Sequence, residues 1–129
     1  MIYGIGHDVV EIERIRNILD SKISIKMIQR ILTPSEQDLP GSQSRPAEFL
    51  SGRFAAKEAI TKAFGCGIGQ ILGFNDIEIL PDSLGKPVVK ISTQAWGRLD
   101  LNEQEYAIHL SITHERHLAS AFAVVERVK

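Results

Sequence analysis

Residues 52–69, Gly-Arg-Phe-Ala-Ala-Lys-Glu-Ala-Ile-Thr-Lys-Ala-Phe-Gly-Cys-Gly-Ile-Gly, read as a helix running into a glycine-rich turn. The helix has no clean solvent face. At about 100° per residue, Phe49, Leu50, Phe54, Ile60 and Phe64 cover one side, and Ala55, Ala56, Ala59 and Ala63 cover most of the other. A helix apolar or small nearly all round is buried on several sides. Arg53, Lys57, Glu58 and Lys62 then sit where ions are costly unless paired, liganded or opened to a cleft. Such a conflict between local pattern and charge marks a functional site.

A chain of 129 residues suffices for one domain with one core, spanning 1–129. With 43% apolar and 24% charged residues it has the composition of a globular protein. A net charge of −1 argues against generalised binding to nucleic acid or to an anionic membrane. The single cysteine, Cys66, excludes an intrachain disulfide and fits a reducing compartment. No run has the length of a membrane span, so the expectation is a cytoplasmic protein.

Ile2 to Val10 reads as a strand in which Gly4, Gly6 and Asp8 share a face, leaving room for something bulky to approach Asp8. Apolar recurrence from Ile12 to Leu32 predicts two short amphipathic helices broken near Asp20-Ser21. Thr33-Pro34-Ser35-Glu36 carries a helix-start signal, and Leu39 to Pro46 reads as an exposed loop. Further strands are expected at Asp76–Leu80, Val88–Ile91, Ala107–Thr113 and Leu118–Glu126, with a helix at Ser92–Leu101. The last two strands are joined by too short a link for a crossover. The fold class is therefore α+β: a single mixed domain, mostly antiparallel sheet, packed on a long buried helix.

Asp8 and Glu58 are the sharpest chemical candidates. Two carboxylates with spare oxygens suit a hard divalent cation, which completes its shell with water and phosphate oxygens. Spacing alone favours a plainer outcome, an i, i+4 ion pair between Glu58 and Lys62. Lys62 also precedes Gly65, Gly67 and Gly69, whose N–H groups could face phosphate, although glycines after a helix more often simply cap it. His109, Ser111 and Thr113 form either a solvated strand face or the wall of an anion pocket. Cys66 lacks an orienting base, and His114 and His117 lack partner ligands at useful spacing. Arg14, Arg16, Lys22, Lys26 and Arg30 make the two short helices basic, diluted by Glu11 and Glu13.

Three blocks together resemble a known family. Tyr3-Gly4-Ile5-Gly6-His7-Asp8-Val9-Val10, Phe54-Ala55-Ala56-Lys57-Glu58-Ala59 through Gly69, and Leu110-Ser111-Ile112-Thr113-His114 are similar to holo-acyl-carrier-protein synthases, the short bacterial 4′-phosphopantetheinyl transferases. The resemblance covers essentially the whole chain. It implies transfer of 4′-phosphopantetheine from coenzyme A to a serine of an apo-acyl carrier protein, with release of adenosine 3′,5′-bisphosphate, in support of fatty acid biosynthesis.

By the same resemblance Asp8 and Glu58 become Mg²⁺ ligands, and Lys62 faces the pyrophosphate beside Gly65. A looser match puts Arg53, Gly85-Lys86-Pro87 and His109 around the nucleotide and its 3′-phosphate. Glu58 is the first choice for general base and Glu36 the second. The family is typically trimeric with sites at subunit interfaces, where His109 or the loop near Arg45 would act on a neighbour's ligand. Arg14 maps onto the helix that meets the acidic carrier protein. His7, where an apolar residue is usual, and Cys66, where threonine is common, depart from the pattern. Two other readings use the same residues: a small metal-dependent phosphoanhydride hydrolase, and a non-catalytic nucleotide-binding module.

Overall fold

Helix and sheet meet in this protein through side chains too small to hold them apart. The computed structural model describes residues 1–129, beginning with strand β1 (Ile2–Glu11) and helices α1 (Ile12–Leu19) and α2 (Ser24–Ile31). Two short helices, α3 (Pro34–Gln37) and α4 (Pro40–Ser44), lead into the long α5 (Pro46–Phe64). After the glycine-rich turn come β2 (Ile77–Pro81), β3 (Pro87–Ile91), α6 (Thr93–Leu99), β4 (Tyr106–His114) and β5 (Leu118–Arg127). One sheet has the order β1-β5-β4 and the other is the β2-β3 hairpin. All pairings are antiparallel, so the α+β class expected from the sequence holds.

α5 lies directly on the larger sheet. A Cβ on Gly4 would sit 1.7 Å from the Ala63 carbonyl oxygen, and one on Gly6 would sit 1.8 Å from that of Ala59. Ala119, Ala121 and Ala123 of β5 add buried small side chains to the same inward face. The bulky neighbour that the glycine face admits is therefore α5 itself. Asp8 follows Gly6 in the same column, opposite Ala121, just beyond the closest contact.

Of the 19 residues of α5, 12 are buried, as its lack of a polar face requires. Lys57 is the extreme case: it and Glu36 are both 0% exposed, with Lys57 Nζ 2.7 Å from Glu36 Oε1. Glu36 also closes the anticipated capping box, its Oε1 accepting from the Thr33 N–H at 2.8 Å while Thr33 Oγ1 accepts from Glu36 N–H at 3.3 Å. α5 ends at Gly65, whose φ of 85° is the left-handed conformation that a helix cap needs.

The strands end within a residue of expectation, and two other segments differ more. The segment 39–46 contains α4, because proline at a first helical position is compatible with a turn and Gly41 lets that turn pack on the Phe49 ring. The helix after Ser92 stops at Leu99, where Asp100 adopts a φ of 57°. No helix is long and apolar enough to cross a membrane.

Candidate active site

Asp8 on β1 and Glu58 on α5 come together at the seam between strand and helix. Lys62 Nζ donates to Asp8 Oδ1 at 3.0 Å and to the His7 carbonyl at 3.1 Å. Burial pushes the Glu58 carboxyl above its ordinary value, the Asp8 charge pushes it further, and Lys62 offsets part of the rise. The two carboxylates therefore feel each other directly, although 50 positions separate them in the chain. The i, i+4 pair between Glu58 and Lys62 is not formed; Lys62 reaches Asp8 instead.

The cluster stands at an open edge, with the Asp8 side chain 18% and the Lys62 side chain 49% exposed. No group of three or more His, Cys, Asp and Glu residues gathers anywhere as a metal cage. Asp8 and Glu58 still fit Mg²⁺, which takes hard oxygen donors, few of them from protein. A bound cation would also offset the repulsion between the Glu58 and Asp8 charges.

A second concave surface lies on another flank of α5. Arg53 and Glu58 point about 140° apart around the helix axis, five residues at roughly 100° each. Beside Arg53 a groove of about 320 Å³ is lined by Arg45, Phe49, Arg53, Gly85, Pro87 and His114, among others. The Arg53 guanidinium lies 4.6 Å from the Phe49 ring centroid, and its Nη2 donates to the Ile79 carbonyl at 3.1 Å. Arg45 Nη1 and His114 Nε2 are 3.4 Å apart. Two guanidinium groups and an imidazole face this groove, together with the Glu48 carboxylate, which is paired with Arg16 at 2.9 Å.

The groove's far wall is the β2-β3 turn. There Asp82 Oδ1 accepts from the N–H groups of Leu84 and Lys86, both at 2.9 Å, and Gly85 takes a φ of 85°. Arg53, Gly85 and Pro87 line this one groove, whereas Lys86 does not. Neither does His109, whose Nε2 lies 2.9 Å from Glu126 Oε1 on the opposite face of the sheet. His114 lines the groove beside Arg45, a residue the sequence reading did not place there. The signal was strand parity: His114 continues the series of Leu110 and Ile112, which pack against the core.

The remaining candidates are simply placed. Arg14 is exposed on α1, whose buried side is Ile12 and Ile15. Its neighbour Arg16 is bound to Glu13 at 2.8 Å and to Glu48 at 2.9 Å. Ile23 and Ile25 are exposed at the start of α2, near Lys26, so this surface is both apolar and basic. Burial raises the Cys66 thiol, which disfavours a nucleophilic thiolate. Glu36, sealed in the core, is out of reach of a substrate. His7 sits on the outer sheet face, its Nε2 3.0 Å from Ser120 Oγ and its ring 5.8 Å from that of Phe122.

Comparison with known proteins gives this geometry a family. Residues 4–123 match the model of the 4′-phosphopantetheinyl transferase superfamily. The holo-[acyl-carrier-protein] synthase of Geobacillus kaustophilus is 49% identical over 132 aligned residues, covering 99% of this chain and 92% of that one. The crystal structure of a holo-(acyl-carrier-protein) synthase from Bacillus anthracis in complex with CoA (3′,5′-ADP) is 44% identical and superposes with a TM-score of 0.79 over 98% of both chains. The enzyme of the same name from Neisseria meningitidis is 38% identical, with a TM-score of 0.86 over 98% of this chain and 100% of that one. By these matches over nearly its full length, the chain belongs to the holo-[acyl-carrier-protein] synthases of the 4′-phosphopantetheinyl transferase superfamily.

Proposed function

We propose that residues 1–129 act as a single cytoplasmic transferase domain that moves 4′-phosphopantetheine from coenzyme A to a serine of apo-acyl carrier protein, in the service of fatty acid biosynthesis. The observation that carries this reading is the convergence of Asp8, Glu58 and Lys62 at one open edge. The CoA (3′,5′-ADP) bound to the Bacillus anthracis relative supports the choice of donor.

Mg²⁺ held by Asp8 and Glu58 would supply positive charge to the pyrophosphate oxygens and to the departing bisphosphate. Lys62, already poised between helix and strand, adds its ammonium to the same oxygens. The serine hydroxyl oxygen forms the new bond to the phosphorus bearing the pantetheine arm. The bond from that phosphorus to the bridging oxygen breaks, and adenosine 3′,5′-bisphosphate leaves with the electron pair. Glu58, beside the reacting oxygens, accepts the serine proton. The groove of Arg45, Arg53 and His114 receives the 3′-phosphate.

A trimer accounts for the split layout. The groove and the carboxylates lie on different flanks of α5, so the groove of one copy joins the carboxylates of the next. The exposed apolar side chains of Ile5, Val9 and Phe122 on the outer sheet face suit such an assembly.

Intact-mass spectrometry with apo-carrier protein, coenzyme A and Mg²⁺ tests the function. Covalent addition of the phosphopantetheine arm to the carrier is expected. Carrier-independent cleavage of coenzyme A would instead indicate a hydrolase, and absence of turnover under varied metals a binding module.

A further inference from the structure

Beneath Arg53 lies a charge network that touches no ligand surface. Lys57 Nζ donates all three of its protons: to Glu36 Oε1 at 2.7 Å, to the Ile31 carbonyl at 2.6 Å and to the Phe74 carbonyl at 3.0 Å. Glu36 Oε2 accepts from the Ile79 N–H at 2.9 Å, on the strand that leads into the groove's far wall. Arg53 Nε stops 3.6 Å short of the same Oε2 and, although buried, has no hydrogen-bond partner.

This arrangement is uneven in a telling way. Glu36 is buried beside two cations and makes its short contact with only one. An unpaired buried carboxylate is strongly unfavourable. Without Lys57, the charge nearest to Glu36 is the Arg53 guanidinium, and charge-assisted bonds settle at about 2.8 Å. Arg53 would close on Glu36 and withdraw from the groove.

We propose that Lys57 is a positioning residue for the anion groove: by pairing with Glu36 in the core, it leaves the charge of Arg53 free for the phosphate of a nucleotide ligand. The inference rests on the groove being the anion site of the proposed reaction. Lys57 itself never meets the ligand. Its influence passes through Glu36, which competes with the ligand for the same guanidinium.

The test is isothermal titration of adenosine 3′,5′-bisphosphate into the wild type, Lys57→Met, Glu36→Gln/Lys57→Met, Arg53→Met and Arg53→Met/Lys57→Met. Lys57→Met is expected to weaken binding about tenfold, the equivalent of roughly 1.4 kcal/mol. Removing the competing carboxylate as well should bring affinity back to within about threefold of wild type, a rescue that loss of packing would not produce. In the Arg53→Met background, Lys57→Met should have no further effect on affinity.

A folded Lys57→Met that binds like wild type overturns the proposal. So does a folded double variant that stays about tenfold weak, and this second outcome decides the matter even where Lys57→Met alone does not fold. A wild type that fails to bind the bisphosphate removes the anion-groove reading itself. Binding by the wild type with no rescue in the double variant removes only the role of Lys57.

Discussion

Lys62 Nζ lies 3.0 Å from Asp8 Oδ1, spanning the seam between α5 and β1, and leaves Glu58 without the ion pair its spacing favoured. Glu58 is thereby a half-buried carboxylate facing a second one. Replacing Asp8 or Glu58 by Ala should lower phosphopantetheine transfer by about a thousandfold, the scale of several kcal/mol of transition-state charge stabilisation. Because the cluster stands at an open edge, thermal unfolding should move by only about 1–2 °C. Wild-type turnover in either variant, with Mg²⁺ present, would remove the metal role.

The raised Glu58 carboxyl also sets a pH dependence. In the folded protein without metal, Glu58 keeps its proton to higher pH than in the unfolded chain, because burial and the Asp8 charge both disfavour the anion. Ionisation of Glu58 therefore destabilises the fold as pH rises through that raised value. Mg²⁺ competes with the proton for the same oxygens. Its stabilising effect should shrink as the solution is acidified toward the ordinary carboxylate range, about pH 4–5. Calorimetry in buffers of different ionisation enthalpy should register proton release on Mg²⁺ binding, and binding without proton release at any pH would contradict the assignment.

The contact between β1 and α5 is the fold's least tolerant point. Gly6→Ala would place a methyl group 1.8 Å from a backbone oxygen that has no flexible route of escape. The loss of stability should exceed about 3 kcal/mol. Urea titration followed by circular dichroism would show it as a fall in the denaturation midpoint, and a midpoint within error of wild type would mean the seam is looser than described.

Arg14 offers a separate test, because it is exposed on α1 and does not line the groove. Arg14→Glu should weaken the acidic carrier protein about tenfold and flatten the salt dependence of that binding. Affinity for coenzyme A should be unaffected. Equal carrier affinity before and after the change, measured at low ionic strength, argues for a different docking face.

Assembly can be checked on the opposite surface. Phe122 is exposed on the outer face of β5, beside His7. Phe122→Asp would place a charge in the centre of that apolar face and should convert a trimer to monomers in light scattering. A wild type that elutes as a monomer at micromolar concentration would refute the shared-site reading directly.

Residue pattern alone determined a good deal about this protein. The absence of a polar stripe on α5 already meant a helix buried on several sides, and the strand parities of β1, β4 and β5 followed from alternation. The three blocks around Asp8, Glu58 and Ser111 carried the family, because their order and spacing survive without coordinates. What lay beyond the sequence was every relation across the seam. Spacing along one helix favoured Lys62 with Glu58, but the closer acceptor came from a strand 54 residues away. Gly4 and Gly6 looked like vacant space and proved to be filled by α5, because an absent side chain cannot say what occupies its place. His109 and His114 differ in their surroundings by a single parity step, and only the packed sheet shows which of them meets Arg45. Local physics acts over a few residues, whereas a site is made where distant segments share one dielectric.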